Sequence, residues 1–504
     1  MKNWLIHSII VAVLTAMAFA GAVAVYGLQG SVPGGMNISG WEIGGMKANS
    51  VHQALHEKLH MLQQKKVVMK AHVPQKGTLE REISLGELGL RTNEEAIEGR
   101  LAALAEGNVW VRAVKRWQER NSTMPLKLGF DPAAFNASVR RLWPELYETQ
   151  PVPAIRTITP DDQVKYIPEI PALRLEAEAL LRSAVAALYA DEPSRPIPLP
   201  GPGDAGSFPA LRALRPDGML LSSRPVSLDV PLYELKPDVT VESLKREGVE
   251  RVIARFSTSF ARSAAGRKHN VSSAAAVVHD MLLKPGEVFD YAKVIQETEE
   301  RFGFREAPVI LNGKLAPGIG GGICQVSTTL YNAVLRAGLE IVERRNHSVP
   351  INYAPLGQDA TFASGYINFR FKNTTGHHLL IRTSSENGVL TVKLFGTMDK
   401  NVSYDIRSTT VKTIPPSAKY VRNPSLPKGT VTLLQQGKTG YVVETYRYKK
   451  AGGKVVDKEL ISRDTYKAQP ALYGSNSGET PPAKSGKSGG PQMIEDGVRA
   501  PVFR

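Results

Sequence analysis

The sequence predicts an α+β multidomain protein: an N-terminal transmembrane or signal helix, an α+β module, a mixed α/β domain, a small β-rich module and a disordered tail. Three observations carry this. Ile9 to Tyr26 are uncharged and almost wholly apolar behind a short start carrying Lys2, the pattern of an export signal or single membrane anchor. Helical and strand-like periodicities then alternate along a 504-residue chain that is 42% hydrophobic, enough for roughly three cored domains. Beyond Ser475, Gly, Ser, Pro and Lys dominate, a composition that cannot bury a core.

The elements follow in order. Ala18-Phe19-Ala20 would serve as a cleavage site, yet the apolar run reaches the ~18 residues of a span, so signal and anchor both stand, the anchor preferred. Gln29 to Gly40 reads as a linker. Helices are predicted near Ser50–Gln64 and Asn93–Ala105, with strands at Val67–Val73 and Glu80–Leu85 between them. A similar set follows: a strand near Leu126–Phe130, a helix to Leu142, extended residues at Val164–Ile167 and a helix over Leu173–Tyr189, as if the region had two related halves. Ser194–Pro209 holds five prolines and three glycines, the mark of an exposed loop. From Val239 a new pattern begins, with helices near Val271–Leu283 and Cys324–Ala337 and strands at Tyr366–Phe371, Leu379–Thr383 and Val389–Phe395. Gly452-Gly453 is the predicted turn of a hairpin joining Val442–Tyr448 to Val455–Ile461.

Charge and cysteine content bound the setting. The net charge of +15, from 63 basic and 48 acidic residues, would draw the chain to anionic wall polymers or phospholipid headgroups, although ordinary solubility explains it equally well. No nucleic-acid motif accompanies it, so nucleic acid is not an expected partner. With one cysteine, Cys324, no intramolecular disulfide can form, and packing alone must hold the domains of an exported chain. A bacterial envelope fits.

Phe256-Ser257-Thr258-Ser259-Phe260, Arg267-Lys268-His269-Asn270-Val271, Lys284-Pro285-Gly286-Glu287-Val288-Phe289, Ala307-Pro308, the Gly320 to Tyr331 block, Glu343-Arg344, His347-Ser348, Tyr353 and Gly357 to Thr361 together resemble the VanW domain over about 239–397. That family more often has Ser and Asn where this chain has Asp290 and Ala292, so nothing is carried over there. Ile43-Gly44-Gly45-Met46 and Leu85 to Leu90 are similar to the peptidoglycan-binding domain that often precedes VanW in proteins of the YoaR type. Gly440 to Val443 with Arg463-Asp464-Thr465-Tyr466 resembles the end of a G5 module, linked in its family to N-acetylglucosamine-containing glycans. The expected domains are 1–28 as signal or anchor, 36–235 as a wall-binding module in two halves, 239–397 as VanW, 402–475 as G5-like and 476–504 as disordered tail. The resemblance implies a place, the extracytoplasmic face of the membrane and the wall (secreted if the signal is cleaved), with peptidoglycan or wall glycan as partner. It does not imply a reaction.

The chemistry centres on Gly320-Gly321-Gly322-Ile323-Cys324. A thiol at a helix start meets free N–H groups and a positive dipole end, which favour thiolate. The sharp hypothesis makes Cys324 a nucleophile, His347 its base and Asp359 the residue orienting the imidazole, with an oxyanion hole after Gly322. Gly320, Gly321, Gly322, Gln325, Ser327, Thr328, Tyr331 and Arg344 would bind substrate. On the helix, Val326, Leu330, Ala333, Val334 and Ala337 form the apolar stripe, while Cys324, Ser327 or Thr328, and Tyr331 line an adjoining face, so the thiol need not be core. The bland reading makes Cys324 a small buried hydrophobe and the glycines a tight turn. Either an accessory factor binding peptidoglycan, serving wall maintenance or glycopeptide resistance, or a cysteine-dependent wall amidase or transpeptidase satisfies these residues; a structural spacer is the third reading. His56-Glu57-Lys58-Leu59-His60 formally satisfies H-E-x-x-H, but Val51, Leu55, Leu59 and Leu62 make its helix's buried stripe and the histidines fall beside it. No metal site and no cofactor is expected, and Ile323 breaks the dinucleotide fingerprint.

Overall fold

The computed structural model describes residues 2–189, 226–476 and 494–498, apart from Gln75, Asn312 and Gly313. The predicted Ser194–Pro209 loop and most of the predicted tail lie outside these residues. The chain divides into two compact units, Met1–Pro153 with Glu169–Asp238, and Ala154–Pro168 with Val239–Arg504.

In the first unit a helix runs unbroken over Lys2–Leu28. An 18-residue window within its Asn3–Leu28 part has mean hydropathy 2.4 and no buried residue, and at ~1.5 Å per residue the helix is long enough to cross a bilayer. After it, the apolar stripe Val51, Leu55, Leu59 and Leu62 seats the Ala48–Gln64 helix on a hairpin of Lys66–Val73 and Gly77–Ser84. Val226–Asp229 returns to pair in parallel with Lys66–Val73. That return unites the region: its buried residues, from Val32 to Val230, form one core, not the two halves the sequence predicts. A further correction concerns Ile155–Ile158 and Val164–Ile167. They form a hairpin belonging to the second unit, where Ile158 and Val164 cover Val249, Leu380 and Phe395 and Arg156 pairs with Glu247 at 2.6 Å.

The second unit is built on an antiparallel sheet ordered Arg251–Ser259, Val389–Gly396, Leu379–Glu386, Met281–Leu283. The Ile323–Arg336 helix and the Ala265–Val278 helix share one core with this sheet. Glu306–Leu311 and Lys314–Ile319 form a hairpin that leads into the Cys324 helix. C-terminal to it, Val402–Ile414, Gly440–Ala451 and Lys454–Tyr466 make a long β ribbon, turning at Gly452-Gly453 as the sequence predicts. A smaller sheet of Ala418–Arg422, Ala471–Ser475 and Val431–Gln435 completes it.

The expected tail is corrected at its far end. Ile494–Glu495 is a strand, pairing antiparallel with Ile310 and Leu311, and the Val498 N–H donates to the Ile319 carbonyl at 2.9 Å. Averaged composition hides the reason: within the polar stretch, Ile494 and Gly497-Val498 supply apolar contact and a residue without a side chain, and Gly497 lies so close to Val309 Cγ1 that a Cβ would collide with it.

Candidate functional site around Cys324

The glycine run is fixed by close approach. A Cβ on Gly321 would strike the carbonyl oxygens of Pro308 and Ala307, and Gly322, at φ +109°, has Arg267 Cγ 2.9 Å from where its Cβ would stand; only glycine takes such a backbone at that spacing without strain. Asn270, fully buried, clamps the turn: its Nδ2 donates to the Arg305 and Gly321 carbonyls at 3.0 Å each, and its Oδ1 accepts from the Arg305 N–H at 2.8 Å. The Tyr291 hydroxyl donates to the Ile323 carbonyl at 2.7 Å. Thus the helix begins with its first N–H groups pointing inward and the thiol one residue on.

Every residue from Ile323 to Leu335 is buried. The adjoining face that need not have been core is buried too: the sheet covers one side of the helix and the Gly357–Phe362 stretch the other. Cys324 Sγ accepts from the Phe362 N–H at 3.0 Å. Ser327 donates to the Ala360 carbonyl at 2.7 Å, and Thr328 accepts from the Ala360 N–H at 3.0 Å. Gln325 accepts from Arg267 at 2.6 Å and donates to Thr258 at 3.0 Å. Gln325, Ser327 and Thr328, predicted to bind substrate, are therefore occupied internally. Burial, followed by the charge of Asp496, pushes the Cys324 thiol well above its ordinary value, so in this arrangement the expected thiolate is a thiol.

His347 and Asp359 meet. Asp359 Oδ2 accepts from both His347 Nδ1 and the His347 N–H, each at 2.7 Å, with both side chains fully buried. Burial pushes Asp359 upward, but the His347 hydrogen bond and charge, with Arg344, hold it down at about 2. Burial lowers His347, and the Asp359 hydrogen bond and charge, with Asp496 and Glu495, more than reverse this. His347 Nε2 is buried without a hydrogen-bond partner among the described residues. An imidazole oriented through Nδ1 by an acid, with Nε2 left free, is the arrangement of a catalytic histidine.

Arg344 does not face a ligand. Its Nη1 donates to both oxygens of Asp464 at 2.6 and 2.7 Å, Nε to the Asp359 carbonyl at 2.6 Å and Nη2 to the Gly357 carbonyl at 3.2 Å. The Tyr466 hydroxyl donates to Asp359 Oδ1 and accepts from the Gly357 N–H at 2.7 Å. Arg344 sits 5.1 Å from the centre of the Tyr331 ring, whose own hydroxyl is buried and unpartnered. So two residues of the β ribbon, Asp464 and Tyr466, brace the His347–Asp359 pair. The sequence did show Arg463 to Tyr466 as a motif, though not that it points here.

Four groups were not singled out as functional from the sequence. Asp496 Oδ1 accepts from the N–H groups of Gly322 at 3.1 Å and Cys324 at 2.8 Å, and its other oxygen is 3.9 Å from Arg267. Glu495 accepts from the Ser348 N–H at 2.9 Å. Tyr353, fully buried with an unpartnered hydroxyl, feels the charges of Asp496, Cys324, Arg267 and Asp359. Asp496 and Glu495 lie in a stretch whose composition reads as disorder, and only Arg267 and Tyr353 carried a signal, as parts of quoted motifs.

In the first unit, His52, His56 and His60 stack along an exposed helix face at 6.5 Å spacing. His52 and His56 pair with Glu98 at 2.6 Å and Glu94 at 3.2 Å. Among the described residues no cluster of three or more His, Cys, Asp or Glu is placed to hold a metal.

Fold and site together define a mixed α/β domain with a buried Cys at a glycine-turned helix start and a buried His–Asp pair, both within the charge of Asp496, the pair braced by a β-rich module. Comparison with known proteins gives these parts their names. Residues 266–395 match the VanW family, "VanW like protein", and residues 406–472 match the G5 domain. Uncharacterized protein YoaR of Bacillus subtilis is 35% identical over 191 residues, 38% of this chain and 60% of that protein. Vancomycin B-type resistance protein VanW of Enterococcus faecalis is 26% identical over 148 residues, 28% of this chain and 54% of that protein. The chain thus spans less than two thirds of either relative. The crystal structure of HP0197-G5 and the structure of an IgA1 protease G5 domain are 27% and 25% identical, cover 15% and 16% of this chain and 96% and 100% of theirs, and give TM-scores of 0.11 and 0.13, too low to argue from. The chain is VanW-like and YoaR-like, with a G5 module C-terminal to its VanW-like domain.

Proposed function

We propose that this is a membrane-anchored envelope protein, facing the wall, whose Cys324 cleft carries out thiol-dependent acyl transfer on wall peptides. The observation that carries the reading is the buried His347, oriented by Asp359 at 2.7 Å with Nε2 unpartnered, which feels the same Asp496 charge as the thiol at the helix start. In the reaction the neutral form of His347 takes the Sγ proton at Nε2, and the thiolate forms a bond to the carbonyl carbon of an amide or ester. The oxyanion of that intermediate rests on the Gly322 and Cys324 N–H groups. His347 returns the proton to the leaving amine or alcohol as its bond to carbon breaks. Water or a second amine then displaces the thioester, the difference between an amidase and a transpeptidase.

The apolar N-terminal helix supports the anchor, and the G5 domain supports attachment to wall glycan. The Met1–Pro153 and Glu169–Asp238 unit would be a peptidoglycan-binding module. A second reading, a non-catalytic wall-binding accessory factor, is favoured by the closed state of the cleft, in which the thiol is protonated. Muropeptide mass profiles of sacculi incubated with the purified chain separate the two. New products that vanish with Cys324→Ala support acyl transfer; identical profiles, alongside co-sedimentation that survives high salt, leave the binding factor.

A further inference from the structure

The Cys324 cleft is already full, and what fills it is peptide. Ile494–Glu495 extends the edge of the Glu306–Leu311 strand by antiparallel pairing, as a bound peptide adds to a sheet. Glu495 and Asp496 are both buried and each finds backbone donors, Ser348 for the first and Gly322 with Cys324 for the second. Gly497 bridges in parallel to Ala363, one residue from the Phe362 backbone that holds the thiol. Asp496 therefore takes the two N–H groups that an oxyanion would need, and supplies the negative charge beside His347 that a thiolate would supply. Gly320, a predicted substrate-binding residue, has Val498 Cγ2 3.1 Å from where its Cβ would stand. The helix start is not the only sign of a ligand site: the fully buried His347 lacks an Nε2 partner and faces the charge of Asp496.

We infer that Ile494–Val498 is a cis-acting strap: a peptide occupant of the Cys324 cleft carried on the same chain, held by strand pairing and one carboxylate at the helix start, which must leave before the thiol can be reached. The class of occupant the groove takes is an extended peptide with a carboxylate side chain facing the Gly322–Cys324 turn. The burial and Asp496 charge that now raise the Cys324 thiol would both fall when the strap leaves. The inference rests on the Cys324 cleft being the functional site of the proposed function, but not on catalysis.

The test reads thiol access. Cys324 alkylation by iodoacetamide is followed by intact mass on the full chain, on Asp496→Asn, and on a chain stopped after Gln492. Truncation loses two hydrogen bonds to a charged acceptor and Asp496→Asn weakens both by removing the charge, so alkylation should speed up about tenfold or more. A synthetic peptide spanning residues 492–500, added to the truncated chain, should slow it again, and the same peptide carrying Asp496→Asn should do so less. Alkylation unchanged in Asp496→Asn at unchanged near-UV circular dichroism overturns the strap even if the truncated chain fails to fold, and so does a peptide without effect on a folded truncated chain. Fast alkylation with no new muropeptides would keep the strap and remove the acyl-transfer reading.

Discussion

Two helices of this protein carry sequence motifs that suggest chemistry, and the structure treats them oppositely. The Ala48–Gln64 helix displays His52, His56 and His60 on an exposed face, the first two paired with neighbouring carboxylates. The Ile323–Arg336 helix buries every polar side chain from Gln325 to Asn332, nearly all with partners supplied by the chain. Burying polar groups costs stability unless they are bonded, so a fully buried polar helix start next to an unpartnered imidazole nitrogen is an arrangement with a use. An exposed histidine row costs nothing and carries no such implication. The difference teaches that motif spacing alone does not separate function from a solvated face; burial with a deliberate vacancy in the hydrogen bonding does.

The contrast is broken most forcefully at Asp359. It holds His347 through two bonds and shares Arg344 with Asp464. Asp359→Ala strands the buried His347 and takes one of two carboxylates from the buried Arg344, and such a loss typically costs about 3–5 kcal/mol; urea unfolding of the purified chain should show it. A loss below ~1 kcal/mol would mean that the pair is not the keystone argued here.

The same pair sets a pH window. Asp359, held at about 2 in the fold, contributes stability that is present above the unfolded carboxylate range and is lost as pH falls through about 2. One to two units of depression amounts to about 2 kcal/mol. His347, raised in the fold, contributes stability present below the ordinary imidazole range and lost as pH rises through its folded value. Melting temperature should therefore be highest between these limits, and Asp359→Asn should flatten the acid limb.

Much of this was legible in the chain. Periodicity located the Cys324 helix, and glycine-rich punctuation located the turn before it, because both depend on local spacing. The His347–Asp359 pair was readable as residue types, while their meeting depends on the loop that returns through Gly357. Arg344 was misread because an exposed and a buried arginine look alike until Asp464, 120 positions on, is folded against it. The Glu495-Asp496 strap was invisible for a different reason: five residues were averaged into a long polar stretch. The hairpin Ile155–Ile167 was assigned to the wrong unit because short strands state their pairing but not which core they cover.

A smaller effect sharpens the claim that the β ribbon braces the site. Tyr466→Phe removes the donor to Asp359 and leaves the Gly357 N–H without its acceptor. One lost bond to a charged group costs about 1.5–3 kcal/mol. Asp359, deprived of a donor, should titrate at higher pH, moving the acid limb upward. Stability and acid limb both unchanged would detach the ribbon from the site.

The smallest effect belongs to the other helix. His56 is 66% exposed, and its partner Glu94 is 23% exposed, so the pair lies mostly in water, where ion pairs contribute little. His56→Ala should shift unfolding by no more than about 0.5 kcal/mol, and zinc measured on the wild-type chain should be sub-stoichiometric. The four apolar residues that seat this helix, Val51, Leu55, Leu59 and Leu62, remain in place, so neither result is confounded by misfolding. Stoichiometric zinc that disappears with His56→Ala would restore the motif to chemistry and overturn burial as the criterion separating the two helices.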